Sequence, residues 1–131
     1  MISFIQAHHV LSLASTQKDR PSLCSVFYAF MPEDNCLIFA SESKSEHIQN
    51  IIINSMVAAS IHDEVRNIIQ IKGLQIKGEV KRAKVHHEDL YTKTFPESKD
   101  LNKEVWTLNV SELKFTDNEN IGFGKKEIWK Y

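Results

Sequence analysis

Ile69 and Ile71 occupy odd positions, whereas Leu74, Ile76 and Val80 occupy even ones, so the apolar side of residues 68–83 changes hand at Gly73. Successive side chains in a strand point to opposite faces, and a phase slip at a glycine predicts a β-bulge or a sharp bend there. A strand pattern this long cannot stay flat. The bulge is the device that lets a sheet curl, so this segment predicts a closed or half-closed β-barrel.

The rest of the chain supplies short elements around that strand. Residues 1–9 read as one or two helical turns, and residues 10–15 as a strand closed by the polar turn at 17–21. Residues 23–31 are aromatic and β-branched, Pro32 to Asn35 are turn chemistry, and residues 36–40 are again strand, so 22–41 reads as a hairpin. Ile48, Ile51 and Ile52 then recur at helical spacing, and Ser43 with Glu46 matches a capping box. A helix is expected from Ser43 or Ser45 to near Asn54. Residues 56–62 resume strand, and 86–95 form a short helix with Glu88 and Asp89 early in it, followed by a loop around Pro96 and Ser98. Residues 105–110 alternate as a strand that continues through Leu113 and Phe115 to a turn at 117–120, and residues 121–131 form a last strand. There is no repeat, linker or low-complexity tract. The fold class is mainly β, a barrel with short helices in one domain over residues 1–131.

A chain of 131 residues, 42% of them hydrophobic, can bury a core without metal or disulfide staples. Sixteen Lys+Arg against seventeen Asp+Glu leave a formal charge of -1, so no global field attracts nucleic acid or an anionic membrane. Cys24 and Cys36 lack CxxC spacing and are expected as reduced thiols in the core. No Lys or Arg precedes Lys18, and Gln6, His8 and His9 interrupt the early apolar residues, so the N-terminus does not read as a signal peptide and a cytoplasmic protein is expected. The longest apolar run, residues 26–31, is far short of the ~20 residues of a membrane-spanning helix.

The segment most informative for chemistry is residues 39–51. A strand delivers Ser41, Lys44 and Ser45 to the start of a helix, where free backbone N–H groups and the positive dipole end favour an anion such as a phosphate. The competing reading is a capped surface helix, since Ser and Glu are what capping prefers. Gly122, Phe123, Gly124, Lys125 and Lys126 do not form GxGxxG, because Glu127 stands at the third glycine, nor Walker A, because Glu119 lies five residues before Gly124. A glycine-eased bend is the favoured reading, with Lys125, Lys126 and Trp129 able to approach a ligand from a neighbouring subunit. Residues 66–84 carry six basic residues against Glu79 alone, yet without interleaved aromatics they read as a solvated outer face more than as a nucleic-acid surface. His8 with His9 and His86 with His87 are adjacent pairs that do not face one way, so no metal site is expected. No GxSxG marks a hydrolase serine.

Residues 41–51 resemble the pyridoxamine-phosphate-oxidase-like FMN-binding split-barrel superfamily, in which a strand is followed by Thr or Ser, then Ser-Arg/Lys-Lys, then a short helix. Residues 71–82, 114–118 and 122–129 resemble a smaller bacterial branch, the YhbP-type proteins, and the likeness covers nearly the whole chain. It implies a six-stranded split barrel, a homodimer, and flavin mononucleotide in grooves between the subunits. On the matching pattern, Ser41 and Ser45 hold phosphate, Lys44 supplies a cation one place early, and His47 falls where the family often has Lys. The chain departs from the family in having no basic residue between Arg20 and Lys44 and Glu46 in place of Arg, which implies weaker phosphate binding. Gly73 stands where a flavin-contacting Gln would fall, with Gln75 beside it. The resulting expectation is a flavin-dependent oxidoreductase acting on an unidentified small molecule, with a nicotinamide cofactor as a possible partner; the alternative is a non-enzymatic flavin or haem binding or sensor module. No side chain stands out as a general acid or base.

Overall fold

In the computed structural model, which describes residues 1–131, six antiparallel strands close on themselves. β1 (Val10–Gln17) and β2 (Arg20–Met31) are joined by Lys18 and Asp19, both with positive φ (51° and 60°). That two-residue turn has the twist a hairpin needs, and here two polar residues accept it without a glycine. A 3₁₀ turn at Pro32–Asp34, ended by Asn35 in the left-handed region, leads into β3 (Cys36–Ala40). β4 (Met56–His62), β5 (Lys72–Arg82) and β6 (Val105–Asp117) follow, in the order β3-β2-β1-β4-β5-β6, and pairing of β3 with β6 closes the barrel. β6 pairs with β5 along one edge and is long enough to serve two neighbours along the other. Its first part pairs with β3, and its last part, Glu112 to Thr116, pairs with the short β7 (Lys126–Lys130) outside the closed circuit.

The inward positions build one core of 20 buried residues, with Leu11, Leu13, Tyr28, Leu37, Phe39, Ile61, Leu74, Ile76 and Leu108 almost wholly excluded from water. α1 (Ile2–Ala7) and α2 (Glu46–Ile53) cover this core through Phe4 and Ile5 and through Ile48 and Ile51. α3 (Val85–Thr94) lies against the outside of β2, β3 and β6, where Tyr91 packs with Ala29, Cys36, Ile38 and Val105. Cys36 is fully buried there, and Cys24 is half-buried.

The barrel expected from the strand pattern is present, but the bulge lies elsewhere. Ile68–Gln70 is a 3₁₀ turn rather than strand, and Ile69 and Ile71 are exposed, so the apparent phase slip at Gly73 marks where β5 begins. The register shift falls between Lys77 and Gly78, opposite Ser111 of β6. A Cβ at Gly78 would stand 2.3 Å from the Asn109 carbonyl oxygen, so the two strands approach where only glycine fits. Two further expectations are corrected. The last strand starts at Lys126 and not at Ile121, because Gly122 and Gly124 with positive φ hold a turn before it. Ile52 is exposed, since α2 is only eight residues long and shows its inner stripe through Ile48 and Ile51.

Candidate functional site

The loop between β3 and α2 is fastened to the start of β6. Ser41 donates its N–H to the Glu104 carbonyl at 3.0 Å and accepts from Trp106 Nε1 at 2.9 Å. Two residues on, the Ser43 N–H donates to Glu104 Oε1 at 3.2 Å, and the Ser43 hydroxyl donates to Oε2. Arg82, the last residue of β5, donates Nη1 to the same Oε2 at 3.1 Å, with its guanidinium 4.6 Å from the centroid of the Trp106 ring. One carboxylate thus collects a backbone amide, a hydroxyl and a guanidinium, the donor set that a carboxylate or phosphate oxygen calls for. Those donors, Ser43 first and Arg82 after it, hold the Glu104 carboxyl below the usual carboxylate range.

The residues singled out in the sequence lie beside this cluster. His47 Nε2 is 2.7 Å from Ser41 Oγ and 3.4 Å from Ser45 Oγ, and burial pulls its pKa down, which leaves a neutral ring at pH 7. Ser45 is the N-cap residue of α2, but its hydroxyl donates to the Glu42 carbonyl at 2.7 Å. The capping box expected from Ser43 and Glu46 does not form, because the Ser43 side chain is spent on Glu104. Lys44 points outward, 85% exposed, and pairs with Glu42 at 3.4 Å. Glu104 lines two clefts, one of about 310 Å³ between Ala40 to Glu42 and Leu101 to Lys103, and one of about 300 Å³ bounded by Ser43, Lys44 and Asn102.

The other predicted positions are not brought to this loop within one subunit. Gln75 is exposed on β5, in register with Ser60 and Lys114. Ten strand positions separate Lys114 from Glu104 along β6, about 30 Å at a strand's rise. Lys125 stands in the turn before β7, and Trp129 packs opposite Leu113. Trp129 lines an apolar cavity of about 520 Å³ near the start of β3, with Met1, Ile5, Phe30, Leu37 and Leu113.

The sequence reading gives Ser43 only as a capping residue, Arg82 only as one of a run of basic residues and Glu104 no role, since the β5–β6 register that sets Arg82 opposite Trp106 is a tertiary fact. It also misjudged one histidine pair. His86 and His87 both reach Asp34 Oδ2, at 2.9 and 2.8 Å, because they stand in the first turn of α3 with their rings 3.9 Å apart. Asp34, Cys36 and His87 place ligand-type atoms within 4.8 Å of one another. His87 Nδ1 accepts the Lys84 N–H at 3.0 Å, so the ring proton sits on Nε2 and is donated to Asp34. Burial pushes the Cys36 thiol up to about 12. The arrangement is a hydrogen-bonded clamp between α3 and the β2–β3 turn. Of the basic residues between 66 and 84, Lys72, Lys77, Lys81 and Arg82 pair with Asp117, Glu112, Glu79 and Glu104, so that face is largely charge-compensated.

The closed barrel with its flanking short helices superposes on solved split-barrel proteins. The haem-binding protein of Mycobacterium smegmatis matches with TM-score 0.77 at 13% identity, over 97% of this chain and 55% of that one. A NimC/NimA family protein of Clostridium acetobutylicum gives 0.76 at 16% identity, over 99% and 89%. A putative pyridoxamine 5'-phosphate oxidase of Listeria innocua gives 0.72 at 16%, over 87% and 93%. The molecule has the split-barrel fold that these proteins share. No protein-family model matches the chain. Whole-chain relatives do: it is 34% identical over 131 residues to the UPF0306 protein plu4501 of Photorhabdus laumondii, covering 97% of this chain and 91% of that one. It is 32% identical over 130 residues to the UPF0306 protein YhbP of Escherichia fergusonii, covering 96% and 88%. The chain belongs to the UPF0306 family of YhbP-type proteins. No helix in it is long and apolar enough to cross a membrane.

Proposed function

We propose that this protein binds flavin mononucleotide, with the phosphate at the β3–α2 loop, and passes electrons between a nicotinamide cofactor and a small molecule. The observation that carries the reading is the convergence of Ser43 N–H, Ser43 Oγ and Arg82 on a single anionic group, in a fold whose neighbours include proteins described as haem-binding, FAD-binding and a putative pyridoxamine-phosphate oxidase. The donor chemistry fits a phosphate monoester. When bound, the flavin supplies reversible two-electron chemistry, and the chain's residues hold and orient it. Ser41, Ser45 and the neutral His47 stand beside the anion as a hydrogen-bonded group, and Lys44 adds a screened surface charge.

The bound state belongs to a homodimer. The outer face of β1, β2 and β4 exposes Val10, Leu23, Phe27 and Met56 around the small residues Ser12, Ala14, Ala58 and Ser60. Such a face is flat and apolar enough to cover a second copy, which would bring Gln75, Lys125 and Trp129 of one subunit towards the loop of the other. The second reading, a non-enzymatic flavin or haem carrier, is favoured by the cavity beside Trp129, whose mostly apolar lining suits a flat ring.

The test is spectroscopic. The purified protein, mixed with FMN, is expected to quench flavin fluorescence saturably, and anaerobic NADH or NADPH is expected to bleach the bound flavin faster than free flavin. Saturable quenching without faster bleaching favours the carrier; a Soret band after haem addition with no quenching by FMN defeats the flavin reading.

A further inference from the structure

We propose that Glu104 is an internal occupant of the anion site made by Ser43 and Arg82, and that an incoming phosphate monoester must displace it to bind. The proposal rests on the flavin reading only for the identity of that ligand.

Three features make the Glu104 carboxylate a latch rather than a fixed strut. Its donors come from two separate elements, the β3–α2 loop and the end of β5, and would remain in place without it. Arg82 is held by its stacking on Trp106, and the Ser43 loop by the Ser41–Glu104 main-chain bond, the Trp106 Nε1 bond and the Gln49 Nε2 bond to the Ser43 carbonyl at 2.5 Å. The Glu104 backbone is anchored through its carbonyl to Ser41, so its side chain can turn while the strand stays paired. Finally, that side chain is 37% exposed and stands between two clefts, each with room to receive it.

The charges around the latch favour exchange for a phosphate. With Glu104 seated, the Arg82 charge is neutralised. Glu42 is matched by Lys44 on the outer side, and Lys103 is turned away to donate to the Ser98 carbonyl at 2.9 Å. Once the carboxylate leaves, Arg82, the Ser43 amide and the Ser43 hydroxyl face the cleft unpaired. A phosphate monoester offers them more acceptor oxygens than a carboxylate does and can use all three donors at once. Binding to a site that is open only a tenth of the time is weakened about tenfold, and removing the occupant restores that factor.

Wild-type protein, Glu104→Ala, Glu104→Gln and the double variant Glu104→Ala/Arg82→Ala are titrated with FMN and with riboflavin, which lacks the phosphate, with circular dichroism checking the fold. Glu104→Ala is expected to bind FMN about tenfold more tightly than wild type and riboflavin unchanged, with the gain lost in the double variant. Glu104→Gln, which keeps the shape without the charge, is expected to gain in the same direction and carries the test if the alanine variant fails to fold. Equal or weaker FMN binding by both single variants overturns the latch. If FMN binds to none of them, the flavin reading fails, and the latch is judged on inorganic phosphate followed at the Ser43 amide by NMR. A shift saturating at about tenfold lower phosphate in Glu104→Ala upholds it, and no difference between variant and wild type overturns it.

Discussion

Replacing Gly78 with alanine tests where the barrel bends. The added Cβ would lie 2.3 Å from the Asn109 carbonyl oxygen, 2.8 Å from Leu108 Cδ1 and 3.1 Å from the Asn109 carbonyl carbon. Two of these neighbours are main chain in the paired strand, and Leu108 is a fully buried member of the core, so no flexible side chain end can move aside. Relief requires β5 and β6 to separate at the bulge. Overpacking of this kind costs about 1–3 kcal/mol where side chains yield, and a backbone obstruction belongs at the upper end, about 3 kcal/mol. For a domain of this size that corresponds to a melting temperature lowered by roughly 10 °C. Gly73→Ala is the matched control, because its Cβ would meet the Ile61 carbonyl at 3.2 Å and His62 Cβ at 3.3 Å near the end of the strand, and a loss below about 1 kcal/mol is expected. Thermal melts followed by circular dichroism compare the two. If both variants melt together, the bend does not reside at Gly78 and the placement of the bulge is wrong.

Sedimentation of the wild-type protein at micromolar concentration is expected to give about twice 15.1 kDa, and Phe27→Asp, which sets a charge in the exposed apolar outer face, is expected to give the monomer mass; a wild-type monomer would remove the dimer and its shared site. His47 sets a pH dependence. Burial depresses its folded pKa below the ordinary value of 6.5, so the unfolded chain binds the extra proton more readily, and stability present above pH 6.5 is lost as pH falls through the folded value. Urea midpoints should therefore decline on acidification through that window, and His47→Gln should flatten the decline; an unchanged slope would show that His47 is not the group responsible.

How much of this was legible before folding depends on whether the signal is local. Apolar alternation, the turn residues Pro32 to Asn35 and the isoleucine spacing of α2 act over a few residues, and they specified strands joined by tight turns, with short helices. Residues 41–51 likewise marked the loop that carries the candidate anion site. Gly73 misled because alternation cannot tell a strand from a 3₁₀ turn entering one: Ile69 and Ile71 look inward-facing by count, yet they precede the strand and lie exposed.

The tertiary structure alone decided the rest. Gly78 is required by the Asn109 carbonyl on the neighbouring strand, a contact across 31 residues of chain that no composition or period records. The anion site follows the same logic, since Ser43, Arg82 and Glu104 are joined only when β3 and β5 both pair with β6 and set the loop, the strand end and the carboxylate at one level. Sequence periodicity determines which face of a strand is apolar, because that is a property of the strand's own geometry. The register between strands determines which polar groups meet, and it is settled by the packing of the whole barrel.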